Sequence, residues 1–339
     1  MTTRAPRSLV LSACCLLLQC GLTLGQKPLY LKPPIPGQLI ELGGYKLHFW
    51  CMGEGSPTVV LSSGSGDFSF DWALVQPEVS KAVRVCSYDR GGEAWSDLGP
   101  SPLTGAQEAF DLRRMLRAAA IKPPYILVGH SLGGLVAQIF ASRYPLDVSG
   151  LVLVDASNWN SMLNIDGKTA PMRALSKNRT IPAPRSRVTQ GDRLSADAIK
   201  KIQEFVKQFD IKPRIEPPYD KLPPTQQNWR LWALSPPSHW AATQNDYLGE
   251  EAELLYKWTE RTTMPLANMP LIVLSRVTPQ NPTENEKDHE THQRELAKLS
   301  SRGELIFVPE SGHHIQLDQP RAVISAIQRI LGEVSKNPR

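Results

Sequence analysis

Cysteine is scarce in this chain of 339 residues. There are five, and Cys14, Cys15 and Cys20 crowd into the first 25 positions. Only Cys51 and Cys86 lie beyond them, so at most one bridge can staple the rest. Long apolar runs are also missing: residues 9–18 form an apolar stretch too short to cross a bilayer as a helix. Charge is weakly biased. The formal net charge of +5 falls by two when residues 1–25 are set aside, since Arg4 and Arg7 are the charged residues there. A balance this mild argues against a nucleic-acid partner. There is no internal repeat and no His/Cys cluster at metal-ligand spacing. His289 and His292 lie three apart, which reads as a solvated helix face. Neither a metal nor an organic cofactor is implied.

A hydrophobic content of 41% against 21% charged residues is that of a globular chain. The 29 prolines suggest many ordered loops. Residues 1–25 read as a signal peptide: Arg4 and Arg7 form the basic end, 9–18 the apolar core, and Thr23, Leu24 and Gly25 precede a cleavage point. Export to a secreted, periplasmic or lumenal location follows, with no integral membrane segment after removal. Retention as an anchor is the alternative. A lipoprotein site at Cys20 is disfavoured by Gln19 before it. An even pair in an exported chain, Cys51 and Cys86 fit either a disulfide or two buried thiols. The basic residues between 168 and 193 read as a solvated loop, with attraction of an anionic surface or substrate the alternative.

Beyond a proline-rich lead, short apolar strands alternate with helix-period segments. Strands are expected at 38–42, 45–51, 58–62, 83–88, 125–129, 150–155, 271–275 and 304–309. The middle ones are continuous Val/Leu/Ile runs, as in a sheet buried on both faces. Helices are expected at about 104–120, where Thr104 and Gln107 resemble a capping box, and at 132–143, 292–299 and 320–331. This alternation predicts an α/β class with a mostly parallel eight-stranded sheet and helices on both faces. It breaks over 156–268, where no strand is evident and helical patterns occur near 196–209 and 241–259. That stretch is expected to be a mainly helical cap, with 26–155 and 269–339 forming the core.

One serine carries the chemistry. Gly129-His-Ser131-Leu-Gly133 follows a strand and opens a helix, the context a G-x-S-x-G nucleophile elbow requires. Flanking glycines let neighbouring backbone approach a strained turn, and the Leu132 N–H lies at a helix start that favours negative charge. A second oxyanion donor is expected from the loop after the third strand, where Ser65 lies between Gly64 and Gly66. The base is expected late in the chain, at His313 or its neighbour His314, with His313 preferred directly after Gly312. The acid is either Asp155, ending a buried strand, or one of Glu284, Glu286 and Asp288 beyond the next strand.

Ser131, an acid and His313, in that order on a strand–helix alternation, resemble the α/β-hydrolase fold superfamily over about residues 37–335. "YDRGGEAWSD", Tyr88 to Asp97, is similar to the family's loop after the fourth strand. "SGHHIQLDQP" is similar to its G-H-x-x-x-x-[DE]-x-P segment, which implies His313 rather than His314. Some members carry the acid after the sixth strand, which implies Asp155. Two departures stand out: Ala94 replaces the second glycine of the Tyr88–Asp97 loop, and Ser62-Ser63-Gly64 replaces the usual His-Gly. The family's second strand lies beside the fourth, which implies that Cys51 and Cys86 could be bridged. The expectation is an exported serine hydrolase acting on a small-molecule carboxylic ester through an acyl-enzyme. Acyl transfer, and hydrolysis of an amide, lactone or C–C bond, use the same residues; a catalytically inactive, hydrolase-like binding protein is the alternative of another class.

Overall fold

The computed structural model describes residues 30–336 except 166–167, 243–246, 263, 281 and 283. The expected leader, 1–25, lies outside the described residues. The sheet has eight strands: β1 (Gln38–Glu41), β2 (Lys46–Met52), β3 (Thr58–Ser62), β4 (Val85–Tyr88), β5 (Tyr125–His130), β6 (Val148–Val154), β7 (Leu271–Arg276) and β8 (Gly303–Val308). Their order is β1-β2-β4-β3-β5-β6-β7-β8. β2 runs antiparallel to both neighbours, and the other pairs are parallel. Every residue of β3, β4, β5 and β6 is buried. Burial on two faces is why these strands read as unbroken apolar runs rather than alternating ones.

The pleat divides each central strand between two cores. Leu127, Leu151 and Leu153 face α1 (Gly105–Ala118) and α2 (Leu132–Arg143), beside Leu135 and Phe140. Ile126, Val128, Val152 and Ile272 face the opposite layer, where Val323, Ile327 and Ile330 of the last helix pack. The cap of α1 is half of the expected box: Thr104 accepts from the Gln107 N–H, but the Gln107 side chain donates to Asp111 and to the Arg185 carbonyl.

Among the described residues, four α-helices occur between β6 and β7: α3 (Ala196–Gln208), α4 (Pro224–Ala233), α5 (Pro237–Ala242) and α6 (Leu248–Arg261). After β7 come α7 (Glu284–Ala297) and α8 (Pro320–Lys336). The stretch after β6 also contains an antiparallel hairpin, Met162–Ile165 with Lys168–Pro171, where no strand was expected. Strands of four residues are too short for alternation to register in sequence. The basic stretch expected as a solvated loop is also tied down. Arg173 lies 4.1 Å over the Tyr256 ring, Arg179 pairs with Glu250 at 2.9 Å, and Arg185 pairs with Asp192. Cys51 and Cys86 face each other in the β2–β4 register and are joined by a disulfide, their Cα atoms 4.0 Å apart.

Candidate active site

β5 ends at His130 and α2 begins at Leu132, so one residue turns the chain between them. That residue is Ser131, with φ 50° and ψ −119°. A non-glycine residue in this region is strained and persists where its surroundings fix it. Here the Ser131 N–H donates to the Val154 carbonyl at 3.2 Å, and its own carbonyl accepts from the Ser157 N–H at 3.0 Å. The turn is tight enough to explain both flanking glycines. A Cβ on Gly129 would lie 2.4 Å from the Gly133 carbonyl oxygen, and one on Gly133 would lie 2.3 Å from that of Ser62. Gly133 thus lets the elbow touch the loop that follows β3.

Asp155 follows the neighbouring strand and is fully buried, at φ 42°. His313, on the loop between β8 and α8, brings Nδ1 to 2.6 Å from Asp155 Oδ2. The other carboxylate oxygen lies 2.9 Å from His289 Nε2 and accepts from the Arg276 N–H at 3.0 Å. The Arg276 guanidinium also bonds Asp155 Oδ2. Burial alone would raise the Asp155 pKa. The bonds from His289 and His313 and the Arg276 charge outweigh it and hold the carboxyl well below its ordinary range. Ser131, Asp155 and His313 line one cavity of about 350 Å³, shared with Arg276, Glu286 and His289. More than half of the His313 side chain is covered.

The other sequence candidates fall elsewhere. His314 turns away from Asp155: its Nε2 lies 2.7 Å from the Tyr219 hydroxyl and 3.6 Å from Asp67 Oδ2. Asp288 is exposed on α7, Glu286 lies on the cavity wall, and the Glu284 side chain is outside the described residues. Leu132 is the first residue of α2, whose N–H has no acceptor within the helix. Ser65 is exposed on the loop after β3. His289, read as part of a solvated face, instead meets Asp155. Spacing along α7 carries no information about the strand end that α7 packs beside. Arg276 likewise carries no sequence signal for its contact, since a lone arginine at a strand end is ordinarily solvated.

A second polar cluster lies behind the elbow. Asp67 Oδ1 accepts from the Tyr219 hydroxyl at 2.5 Å and from Arg230 at 3.3 Å, and Arg230 also bonds Asp71 at 2.5 Å. His130 Nδ1 lies 3.4 Å from Asp67 Oδ2, while its Nε2–H donates to the His313 carbonyl at 2.9 Å. Burial pushes the His130 pKa down. Asp67, His130 and His314 place their donor atoms within 4.8 Å of one another, as a metal site would. The Arg230 guanidinium and Tyr219 hydroxyl already occupy that carboxylate, so a dication there would sit against a fixed positive charge.

Comparison with known proteins agrees with this architecture. The sequence pattern of the Alpha/beta hydrolase family matches residues 59–326. The fold is similar to that of a thermophilic esterase from Thermogutta terrifontis, with TM-score 0.57 and 22% identity over 88% of this chain and 99% of that one. It is also similar to that of the enol-lactonase from Burkholderia xenovorans LB400, with TM-score 0.58 and 16% identity over 87% and 100%. An AB hydrolase superfamily protein of Gibberella zeae is 29% identical over 110 residues, 30% of this chain and 33% of that protein. The uncharacterised YqjL of Bacillus subtilis is 31% identical over 103 residues, 30% of this chain and 41% of that protein. The chain spans less than half the length of the curated relatives it matches. With its sheet order, its strained turn after β5 and a match across most of its length, the chain belongs to the alpha/beta hydrolase family.

Proposed function

We propose that this chain is an exported serine hydrolase that cleaves a small-molecule carboxylic ester. The observation that carries the reading is one cavity holding Ser131, on a strained strand-to-helix turn, together with a His313 bonded through Nδ1 to a buried, ionised Asp155. Ser131 Oγ attacks the acyl carbon while His313 Nε2 takes its proton. Asp155 holds the imidazole by Nδ1–H and stabilises the imidazolium. The Leu132 and Ser65 N–H groups receive the oxyanion. Collapse expels the alcohol and leaves an acyl-enzyme, which water deprotonated by His313 then hydrolyses. The esterase and lactonase among the similar folds support an ester or a cyclic ester as the bond.

Residues 156–268 act as a cap over the 26–155 and 269–339 core in this reading. Support comes from Met162 and Leu163 on the cavity wall and from the hold of Tyr219 and Arg230 on Asp67. The Cys51–Cys86 bridge fits an oxidising compartment, and with the basic-then-apolar lead it supports export through a cleaved signal. Among the described residues no helix is long and apolar enough to cross a membrane.

A fluorophosphonate probe, followed by turnover of aryl esters of increasing chain length, tests the activity. Labelling and hydrolysis that Ser131→Ala abolishes are expected. A folded wild-type protein that neither labels nor hydrolyses would point to the inactive binder.

A further inference from the structure

The loop that follows β3 departs from its family at the position that matters most for an oxyanion: Ser62-Ser63-Gly64 stands where members carry His-Gly. Something else must therefore hold it. The Ser63 hydroxyl donates to the Phe68 carbonyl at 2.8 Å and accepts from the Trp72 indole N–H at 2.9 Å. The larger hold comes from Arg90, two residues beyond the end of β4 and 6% exposed. One guanidinium nitrogen donates to the Ser63 carbonyl and the other to the Gly64 carbonyl, each at 2.5 Å. The Gly64 carbonyl accepts a further bond from the Asp67 N–H at 3.2 Å.

Those two carbonyls fix more than themselves. Cis peptide bonds among the described residues are confined to X-Pro pairs, so Ser63–Gly64 and Gly64–Ser65 are trans. In a trans peptide unit the C=O and the N–H point in opposite directions. Drawing the Gly64 carbonyl onto Arg90 therefore turns the Ser65 N–H to the far side of the same plane. The fork cannot rotate freely: Glu93 Oε1 accepts from it at 2.9 Å and Glu108 lies 3.8 Å from Nε. A planar guanidinium with two parallel donors aligns two consecutive carbonyls in a way a single ammonium cannot.

We propose that Arg90 is the positioning residue of the oxyanion hole, its fork setting the Ser63–Gly64 and Gly64–Ser65 planes so that the Ser65 N–H meets the developing oxyanion beside that of Leu132. The inference rests on the assignment of Ser131 as nucleophile. It predicts a defect confined to the tetrahedral stage: substrate binding survives, but the charge that forms on attack loses a preorganised donor.

Arg90→Met would leave Glu93 and Glu108 buried without their counter-charge, so Arg90→Lys is the informative variant: it keeps the charge and removes the fork. On an aryl ester, kcat should fall on the order of 10²–10³-fold, the loss expected when one oxyanion donor goes, with KM within about threefold. An aryl trifluoromethyl ketone, whose adduct with a serine carries an oxyanion, should lose affinity by a similar factor. A purely structural role would lower the melting temperature and leave both ratios unchanged per folded molecule. Arg90→Lys with kcat within about threefold of wild type and undiminished ketone inhibition overturns the proposal. Ser131→Ala run alongside separates the two failures. If it is inactive while Arg90→Lys is not, only the role of Arg90 falls. If Ser131→Ala retains turnover, the nucleophile assignment falls with it.

Discussion

Two buried aspartates flank the elbow, and each is met by two imidazoles and one guanidinium. Asp155 is held by His313, His289 and Arg276; Asp67 is approached by His130, His314 and Arg230. The residue types match, but the surroundings do not. The Asp155 cluster opens onto the cavity that holds Ser131, with one side of His313 facing it. Asp67 itself is buried, and Tyr219 and Arg230, which cover it, line a different cavity from that of Ser131. The Asp67 carboxylate takes the Tyr219 hydroxyl, and the groups of its cluster join the insertion, the loop after β3, the end of β5 and the loop after β8. A His/Asp/Arg set therefore does not define a site by itself. What separates the two is the strained serine that shares a cavity with only one of them.

The sharpest way to break this contrast is to neutralise each aspartate. Asp155→Asn should cost turnover on the order of 10⁴-fold, because an amide can fill the place but cannot stabilise an imidazolium, and some stability too, tempered because Arg276 and His313 stay partly solvated. Ser131→Ala and His313→Ala should match it, and His314→Ala should keep most activity. Asp67→Asn should do the reverse: about 1.5–3 kcal/mol lost in denaturant unfolding, since Tyr219 and Arg230 lose a buried charged acceptor while Arg230 keeps Asp71, with far less effect on turnover per folded molecule. An inactive but stable Asp67→Asn would erase the distinction.

Paired replacement of Cys51 and Cys86 by serine touches neither cluster. Stability should fall by about 2–4 kcal/mol for the loop the bridge closes, with turnover in the cold unchanged. His289→Gln probes the open cluster more gently. One hydrogen bond to a charged group is worth about 1.5 kcal/mol, so a turnover loss on the order of tenfold is expected. Steady-state kinetics at one pH measures it, and a loss equal to that of His313→Ala would make His289 a second base.

The smallest effect lies in pH. Asp155 and Asp67 both have depressed folded-state pKa values, so their contributions are present above an unfolded pKa of about 4 and are lost as pH falls. Glu93 and Glu108 behave oppositely: burial, beyond what Arg90 offsets, pushes them up to about 7 and about 8. Their contribution is full below about 4.3 and is lost as pH rises through those values. Glu108→Gln should therefore melt with a flatter pH dependence than wild type between about pH 5 and 8. An unchanged slope by differential scanning fluorimetry would show that Arg90 keeps Glu108 ionised throughout.

The strand alternation was readable because its cause is local: central strands buried on two faces are continuous apolar runs. β3 and α2 coincide at both ends with the segments expected from sequence. The contacts that complete the polar clusters are not local. Arg230 reaches Asp67 across 163 positions, and His289 reaches Asp155 across 134. No periodicity records such a meeting. His289 was misread for that reason, since its helix looked wet on its own terms. The Met162–Pro171 hairpin was missed for want of length. Arg90 lay inside a motif already recognised, but what it grips is backbone, and carbonyl groups have no letter in a sequence.

The bond from His130 to the His313 carbonyl has a mechanical consequence. His130 is covalently next to Ser131, and His313 is the proposed base, so one hydrogen bond ties their two chain segments together. A tether of this kind would let the Ser131 hydroxyl and the His313 imidazole shift together rather than apart, so that the distance between them is less exposed to motion at this end of the sheet.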